Sequence, residues 1–317
     1  MIPTAEYIPF LEREYLNGYV DQGGAAVKFV VPEDDDSAHE FMDSFETGAR
    51  NTGYAVCRVD SAETRVHLLE QVFFAIARQI DWDELAGMAT RRALREAGYP
   101  ESEDGGLAID RLAAHYQVEV GELKRDVDRQ LQRLVHHDYA MVNEFRTAML
   151  RLCQAQVRSG QVVGAEHAAV LDWLRGDLRQ ISVLRSALIF RRIDRHNARH
   201  MLFSLAHWLS VNQRSGLAVT LDIRRLGRAR RPSVSERSGN YYTRTALLDA
   251  YEVLRQLVDD TDEMANCMVV VVAAPAFLTD TPRGLDAYQA LKLRIFDEVR
   301  DVHRDNPFSS LVRLGAA

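Results

Sequence analysis

The sequence predicts a parallel α/β sheet interrupted by a helical insertion, and three observations carry that prediction. Residues 25–31 (AAVKFVV), 54–59 (YAVCRV), 217–221 (LAVTL) and 268–273 (MVVVVA) are short β-branched runs with almost continuous apolar character. Such runs suit strands covered on both faces. Segments of helical periodicity separate them, the alternation of a parallel sheet with helices on both faces. Between residues 81 and about 180, Gly and Pro nearly vanish from long charged stretches and β-branched clusters are scarce, so that hundred residues reads as helical.

In chain order, residues 5–22 place Tyr7, Phe10, Leu11, Tyr15, Leu16, Tyr19 and Val20 at helical spacing and stop at Gly23 and Gly24. After the first strand, Phe41, Phe45 and Ala49 repeat every four residues in a helix expected over 37–51, with Gly53 as its stop. The second strand follows, then a helix over 64–80 carrying Val66, Leu69, Val72, Phe73, Ile76 and Ile80. The helical region has one loop-like patch, GYPESEDGG at 98–106. The α/β pattern then returns: a helix over 194–211, the LAVTL strand, a helix over 243–257, the MVVVVA strand, a long helix over 284–304 and a short strand over 310–314. The expected organisation is 1–80 as the first part of the core, 81–190 as the insertion and 191–317 as the second part.

The chain has 317 residues, 47% hydrophobic and 27% charged, with a formal charge of −7. That is a globular composition, and it argues against a surface built wholly for nucleic acid. Three widely spaced cysteines, Cys57, Cys153 and Cys267, suit neither a disulfide framework nor a zinc site. The start lacks the pattern of a signal peptide, and no apolar run approaches the ~20 residues of a membrane helix. A cytoplasmic protein with no membrane contact is expected.

The segment KFVVPEDDDSAHEFM lies where a strand passes into a helix, the place of a phosphate-binding loop. In the pattern G-x-x-x-x-G-K-[ST], glycines let the backbone approach phosphate, lysine reaches the β and γ phosphates and the hydroxyl holds magnesium. Here Pro32 and Ser37 stand at the glycines, Ala38 at the lysine and His39 at the hydroxyl residue, with Glu33, Asp34, Asp35 and Asp36 among them. Pro32 lacks an N–H, Ala38 lacks the cation, and like charges ~4 Å apart repel by about 4 kcal/mol at an effective dielectric near 20. The competing reading is an acidic cap at the positive end of a helix.

LAVTLD places Asp222 at a strand end, as a magnesium-ordering Walker B aspartate would lie, and Ile223 takes the place of the usual glutamate. A strand-terminating Asp is the competing reading. The segment DIRRLGRARRPSVSERSGNYY then brings Arg224, Arg225, Arg228, Arg230 and Arg231 together, with Tyr241 and Tyr242 beyond. It fits phosphate backbones and exposed bases, or an acidic protein neighbour. His136, His137 and Asp138, and the pair His196 and His200, lack a metal-site context, so solvated or core histidines are expected.

The chain resembles the P-loop ATP-binding family of BREX-type phage-defence systems. The likeness rests on REYLNGYVDQGGAAVKFVV, GYAVCRVD and IDW at the front. At the back it rests on RRIDRHNARHMLFSLAHW, GLAVTLDIRRL, YYTRTALLDAYEVLRQLVDDTDE, VVVVAAPAFLTD and RGLDAYQALKLRI. It implies an ASCE-type, AAA+-like P-loop NTPase fold acting in an oligomer near DNA-processing partners, with Arg283 and Arg294 as candidates to reach a neighbour's nucleotide. Because the family's loop residues correspond here to Pro32, Ser37, Ala38 and His39, the expectation is a degenerate ATPase with no cofactor and with Asp222 as a vestigial metal residue. Its expected partners are protein subunits of a defence complex, among them an active ATPase paralogue, and DNA. The alternative is an active ATPase with a non-standard loop, using ATP and magnesium to remodel a DNA-bound complex.

Overall fold

A computed structural model describes residues 1–100, 109–158, 160–212, 214–228, 239–296 and 305–315. The chain forms two compact units, one of residues 1–76 with 214–317 and one of residues 77–213.

The first unit opens with β1 (Ile2–Pro3) and α1 (Thr4–Leu11), which runs on through wider π-type turns over Glu12–Val20. Next come β2 (Ala25–Val31), α2 (Asp35–Asn51), β3 (Tyr54–Asp60) and α3 (Leu69–Ala77). The second unit holds α4 (Trp82–Glu96), α5 (Ile109–Tyr116), α6 (Val120–Leu131), α7 (Asn143–Val157), α8 (Gln161–Arg175) and α9 (Ala198–Val211). The chain then returns to the first unit with β4 (Gly216–Asp222), α10 (Arg244–Asp259), β5 (Cys267–Val272), α11 (Ala276–Thr279), α12 (Gln289–Ile295) and β6 (Leu311–Gly315).

The six strands form one all-parallel sheet in the order β1-β6-β2-β5-β4-β3. β5 lies between β2 and β4, the additional strand that separates the loop-bearing and Asp-bearing strands in ASCE-type P-loop folds. Every residue of β2, β4 and β5 is buried, as continuous apolar runs require. On one face Ala26, Val30, Met268, Val270, Val272 and Val312 pack with Phe41, Phe45, Tyr7 and Leu11 of α2 and α1. On the other, Phe29 stacks on Phe277 of α11 at 6.2 Å, and Phe277 meets Tyr251 of α10 edge-on at 5.8 Å.

Polar ties fix the ends of this sheet. Lys28, 3% exposed in mid-strand, donates to the carbonyls of Phe308 (2.6 Å) and Ser309 (2.9 Å) and lies over the Tyr15 ring at 4.5 Å, anchoring the approach to β6. At the start of β4, Gly216 has φ +143°, and a Cβ there would land on the Asn266 carbonyl. Only glycine fits that crossing.

Some expectations shift. α2 starts at Asp35, two residues before the expected start, because Asp34 caps it. The expected helix over 64–80 begins only at Leu69: the Tyr242 hydroxyl, within reach of the carbonyls of Ser61 (2.8 Å) and Thr64 (2.6 Å), accepts from Val66 N–H (3.2 Å) and holds residues 61–68 as turns. α9 falls in the helical unit, which therefore reaches residue 213 where 190 is expected. Of the expected helix over 284–304, residues 285–287 form a single tight turn and α12 spans Gln289–Ile295; residues 297–304 lie outside the described residues.

Candidate functional site

In an open parallel sheet, ligands bind beyond the carboxyl ends of the strands, where the order of connections reverses. Here that place is where β2 passes into α2, beside the ends of β5 and β4. The register sets Asp60, Asp222 and Val272 level across β3, β4 and β5. β5 continues into Ala273, Ala274 and Pro275, so the strand between the two motif positions offers no polar side chain.

The connection from β2 to α2 is three residues long, Pro32, Glu33 and Asp34. Asp34 is extended (φ −148°) and closes a capping box: its Oδ1 accepts from the Ser37 backbone N–H at 2.8 Å, and Ser37 Oγ accepts from the Asp34 N–H at 3.1 Å. The Asp34 carbonyl takes the Ala38 N–H at 3.1 Å. The Ser37 hydroxyl, also 2.6 Å from Oδ1, holds the Asp34 carboxyl below the usual carboxylate range, helped by backbone N–H groups of the first turn. The anion at the start of α2 is thus the chain's own carboxylate.

Asp222 is 6% exposed, and its carboxylate faces Arg224 two residues on. Arg224 Nε lies 3.0 and 3.1 Å from Asp222 Oδ1 and Oδ2, Nη2 lies 2.7 Å from Oδ2, and the Arg224 backbone N–H donates to Oδ1 at 3.0 Å. The same guanidinium reaches α2: Nη1 meets Asp35 Oδ1 at 2.6 Å and Nη2 lies 3.3 Å from His39 Nε2. His39 Nδ1 is 2.6 Å from the Asp35 carbonyl, which fixes the ring. The hydrogen bond to Asp222, with the attraction of both carboxylates, raises the Arg224 pKa despite partial burial. One cation therefore joins the Walker B-like aspartate to the residue in the hydroxyl position of the loop. Spacing alone hides this: Asp222 and Arg224 form one local pair and Asp35 and His39 another, and the fold brings the two pairs together.

The other candidates disperse. Arg225 Nε donates to the Asn240 carbonyl at 2.8 Å, and burial with the nearby Arg228 charge lowers its pKa. Arg228 is exposed, while Arg230 and Arg231 lie outside the described residues. Tyr241 is half-buried, its ring 6.0 Å from the Arg283 guanidinium. Tyr242 is corrected: at 2% exposure, with its hydroxyl engaged by the turn at 61–66, it belongs to the core and offers no stacking face. Arg224 is likewise turned inward, away from an outside partner. Arg283 is corrected too: it is 8% exposed and donates to the carbonyls of Leu226 (2.9 Å) and Tyr242 (2.9 Å), fastening the segment after β4. Arg294 pairs with Asp259 at 3.1 Å.

Among the histidines, His207 Nε2 contacts Asp138 Oδ2 at 2.8 Å, and among the described residues no group of three or more His, Cys, Asp or Glu is arranged to hold a metal ion. No helix among the described residues is long and apolar enough to cross a membrane.

A comparison with protein-family models matches residues 15–316 to the BREX system ATP-binding protein family BrxC/D. No curated protein and no solved structure matches the chain. The match runs from the end of α1 through β6, so it takes in the whole loop, the Asp222 strand and the helical unit, and the strand order agrees with a P-loop NTPase sheet. The chain belongs to the BREX system ATP-binding protein family, BrxC/D.

Proposed function

We propose that this protein is a non-hydrolysing member of its family, a pseudo-ATPase subunit of a BREX-type antiphage complex that works through contacts with other subunits. The observation that carries this reading is the Arg224 bridge from Asp222 to Asp35 and His39. A magnesium ion held between Asp222 and the residue at position 39 would meet a guanidinium there, and two cations in one low-dielectric site repel. The loop adds two obstacles. Ala38 supplies no charge to phosphate, and the N-terminus of α2 is satisfied by Asp34. The residues do not fit an ATP–magnesium group.

Under this reading the fold serves assembly, with an active ATPase paralogue as the expected neighbour and the exposed Arg228 toward a protein or DNA partner. Purified protein should show no hydrolysis above background and no saturable binding of a fluorescent ATP analogue with magnesium. Turnover on the scale of seconds that disappears in Asp222→Ala would overturn the proposal. A second arm changes Ser37, Ala38 and His39 to Gly, Lys and Thr, together with Arg224→Ala. Nucleotide binding should then appear or strengthen, and wild-type binding as tight as this variant's would also contradict the reading.

A further inference from the structure

The helical unit carries an exposed apolar feature that its own folding does not explain. Along residues 183–190 the apolar positions divide equally between the interior and the surface. Leu184, Ala187 and Ile189 are fully buried, whereas Val183, Leu188 and Phe190 are 55%, 60% and 62% exposed. The inner set accounts for the core contacts. The outer set is large, apolar and left in water.

This display is rigidly held. The Leu184 carbonyl accepts both the Ala187 and the Ile189 N–H at 3.1 Å, which folds the segment back on itself. Arg151 reaches the carbonyls of Ser186 and Ala187, Ser186 Oγ contacts Glu166 at 3.2 Å, and Trp173 Nε1 donates to the Arg191 carbonyl at 2.9 Å. Leu188 sits at φ +64°, a left-handed conformation that a leucine adopts at a cost and that turns its side chain outward. Leu188 and Phe190 are both exposed on either side of the fully buried Ile189. A fixed, strained presentation of apolar groups is what a preformed contact surface needs.

The surroundings define the occupant. From Arg175 to Arg199 there are seven arginines against two aspartates, in a chain whose overall charge is −7. Arg185, Arg191 and Arg195 are exposed, and the first two side chains have no partner among the described residues. Exposed aliphatic anchors beside unpaired guanidiniums complement an apolar depression edged with carboxylates. Nucleic acid would use the arginines and stack on Phe190, but it offers no apolar depression for Val183 and Leu188.

We infer that the 183–190 segment is a docking surface for an acidic protein partner, which inserts an acid-rimmed apolar site over Val183, Leu188 and Phe190. The inference does not depend on whether the nucleotide site is active. The test uses the full chain and three labelled probes: an amphipathic helical peptide with leucines on one face and glutamates at its margins, the same peptide with lysines there, and oligothymidine. The glutamate peptide should bind about tenfold or more tightly than the lysine peptide. Binding should fall about tenfold or more in Leu188→Gly with Phe190→Ser. Glycine suits the φ at 188, so that variant should keep its melting temperature. Arg185→Glu with Arg191→Glu should reverse the preference between the peptides. Equal or absent binding of the two peptides overturns the inference. So does binding of oligothymidine alone that the same substitutions abolish, or self-association of the chain that they disrupt.

Discussion

Arg224 and Asp222 are nearly out of water, with side chains 14% and 9% exposed, whereas Asp35 is 82% exposed. The bridge is therefore uneven. Arg224→Ala strands a buried carboxylate and should cost on the order of 3 kcal/mol. Asp35→Ala removes only a screened surface pair and should cost less than about 1 kcal/mol. Urea denaturation of the two variants checks the order, and equal losses would mean that Asp222 is not the principal partner. A second residue-scale test uses Gly216: alanine there meets the Asn266 carbonyl at an unfavourable φ, so Gly216→Ala should reduce soluble yield and lower the melting temperature more than any substitution in the bridge. Sequence shows that Ala38 lacks a lysine's charge; it does not show that Arg224 reaches Asp35 and His39, because that depends on β5 alone separating β4 from β2.

At the scale of elements, α2 links the core to the site. Its buried face carries Phe41 and Phe45, stacked 6.3 Å apart, and Ala49, while its first turn carries Asp35 and His39. Phe45→Ala should destabilise the α/β unit by about 3–5 kcal/mol, since the cavity adds to the lost transfer free energy. It should also disturb the Arg224 bridge. The apolar spacing of α2 and the strands is legible in the sequence because every member of β2, β4 and β5 is buried, and only Lys28, Thr220 and the strand-end Asp222 interrupt the apolar run. Tyr242 was misplaced for a related reason: a tyrosine among arginines and serines reads as surface, and only the folded turn at 61–66 shows three backbone groups meeting its hydroxyl. Periodicity leaves α9 with the core, whereas hydrogen bonds distant in sequence, from Val142 N–H to Ser204 Oγ and between His207 Nε2 and Asp138 Oδ2, join it to the helical unit.

For the whole molecule, acid is the informative perturbation. Arg255, with hydrogen bonds from Tyr288 and Gln256, pulls Glu252 down from 4.5 to about 2, and Asp34 is also lowered by its Ser37 bonds. Carboxyls with depressed folded-state pKa values stabilise the protein above their unfolded values and lose that contribution as pH falls through the folded ones. Stability should therefore decline between pH 4.5 and about 2. Glu252→Gln should flatten the upper part of that decline, by less than the full shift implies because its side chain is about a third exposed. Thermal melts across this range at low and high salt check both the direction and the screening.

The Arg224 bridge also bears on how the protein answers to metabolism. A nucleotide-binding subunit gains about 2.7 kcal/mol of stability at a hundredfold excess of ligand over its dissociation constant, so its shape and lifetime follow the cell's ATP supply. Under the proposed reading, a chain that carries its own cation and its own anion at the same place would be uncoupled from that supply. Its melting temperature should stay fixed as magnesium-ATP is raised, and within a complex whose other members cycle with nucleotide it would be the component that holds still while infection drains the energy pool.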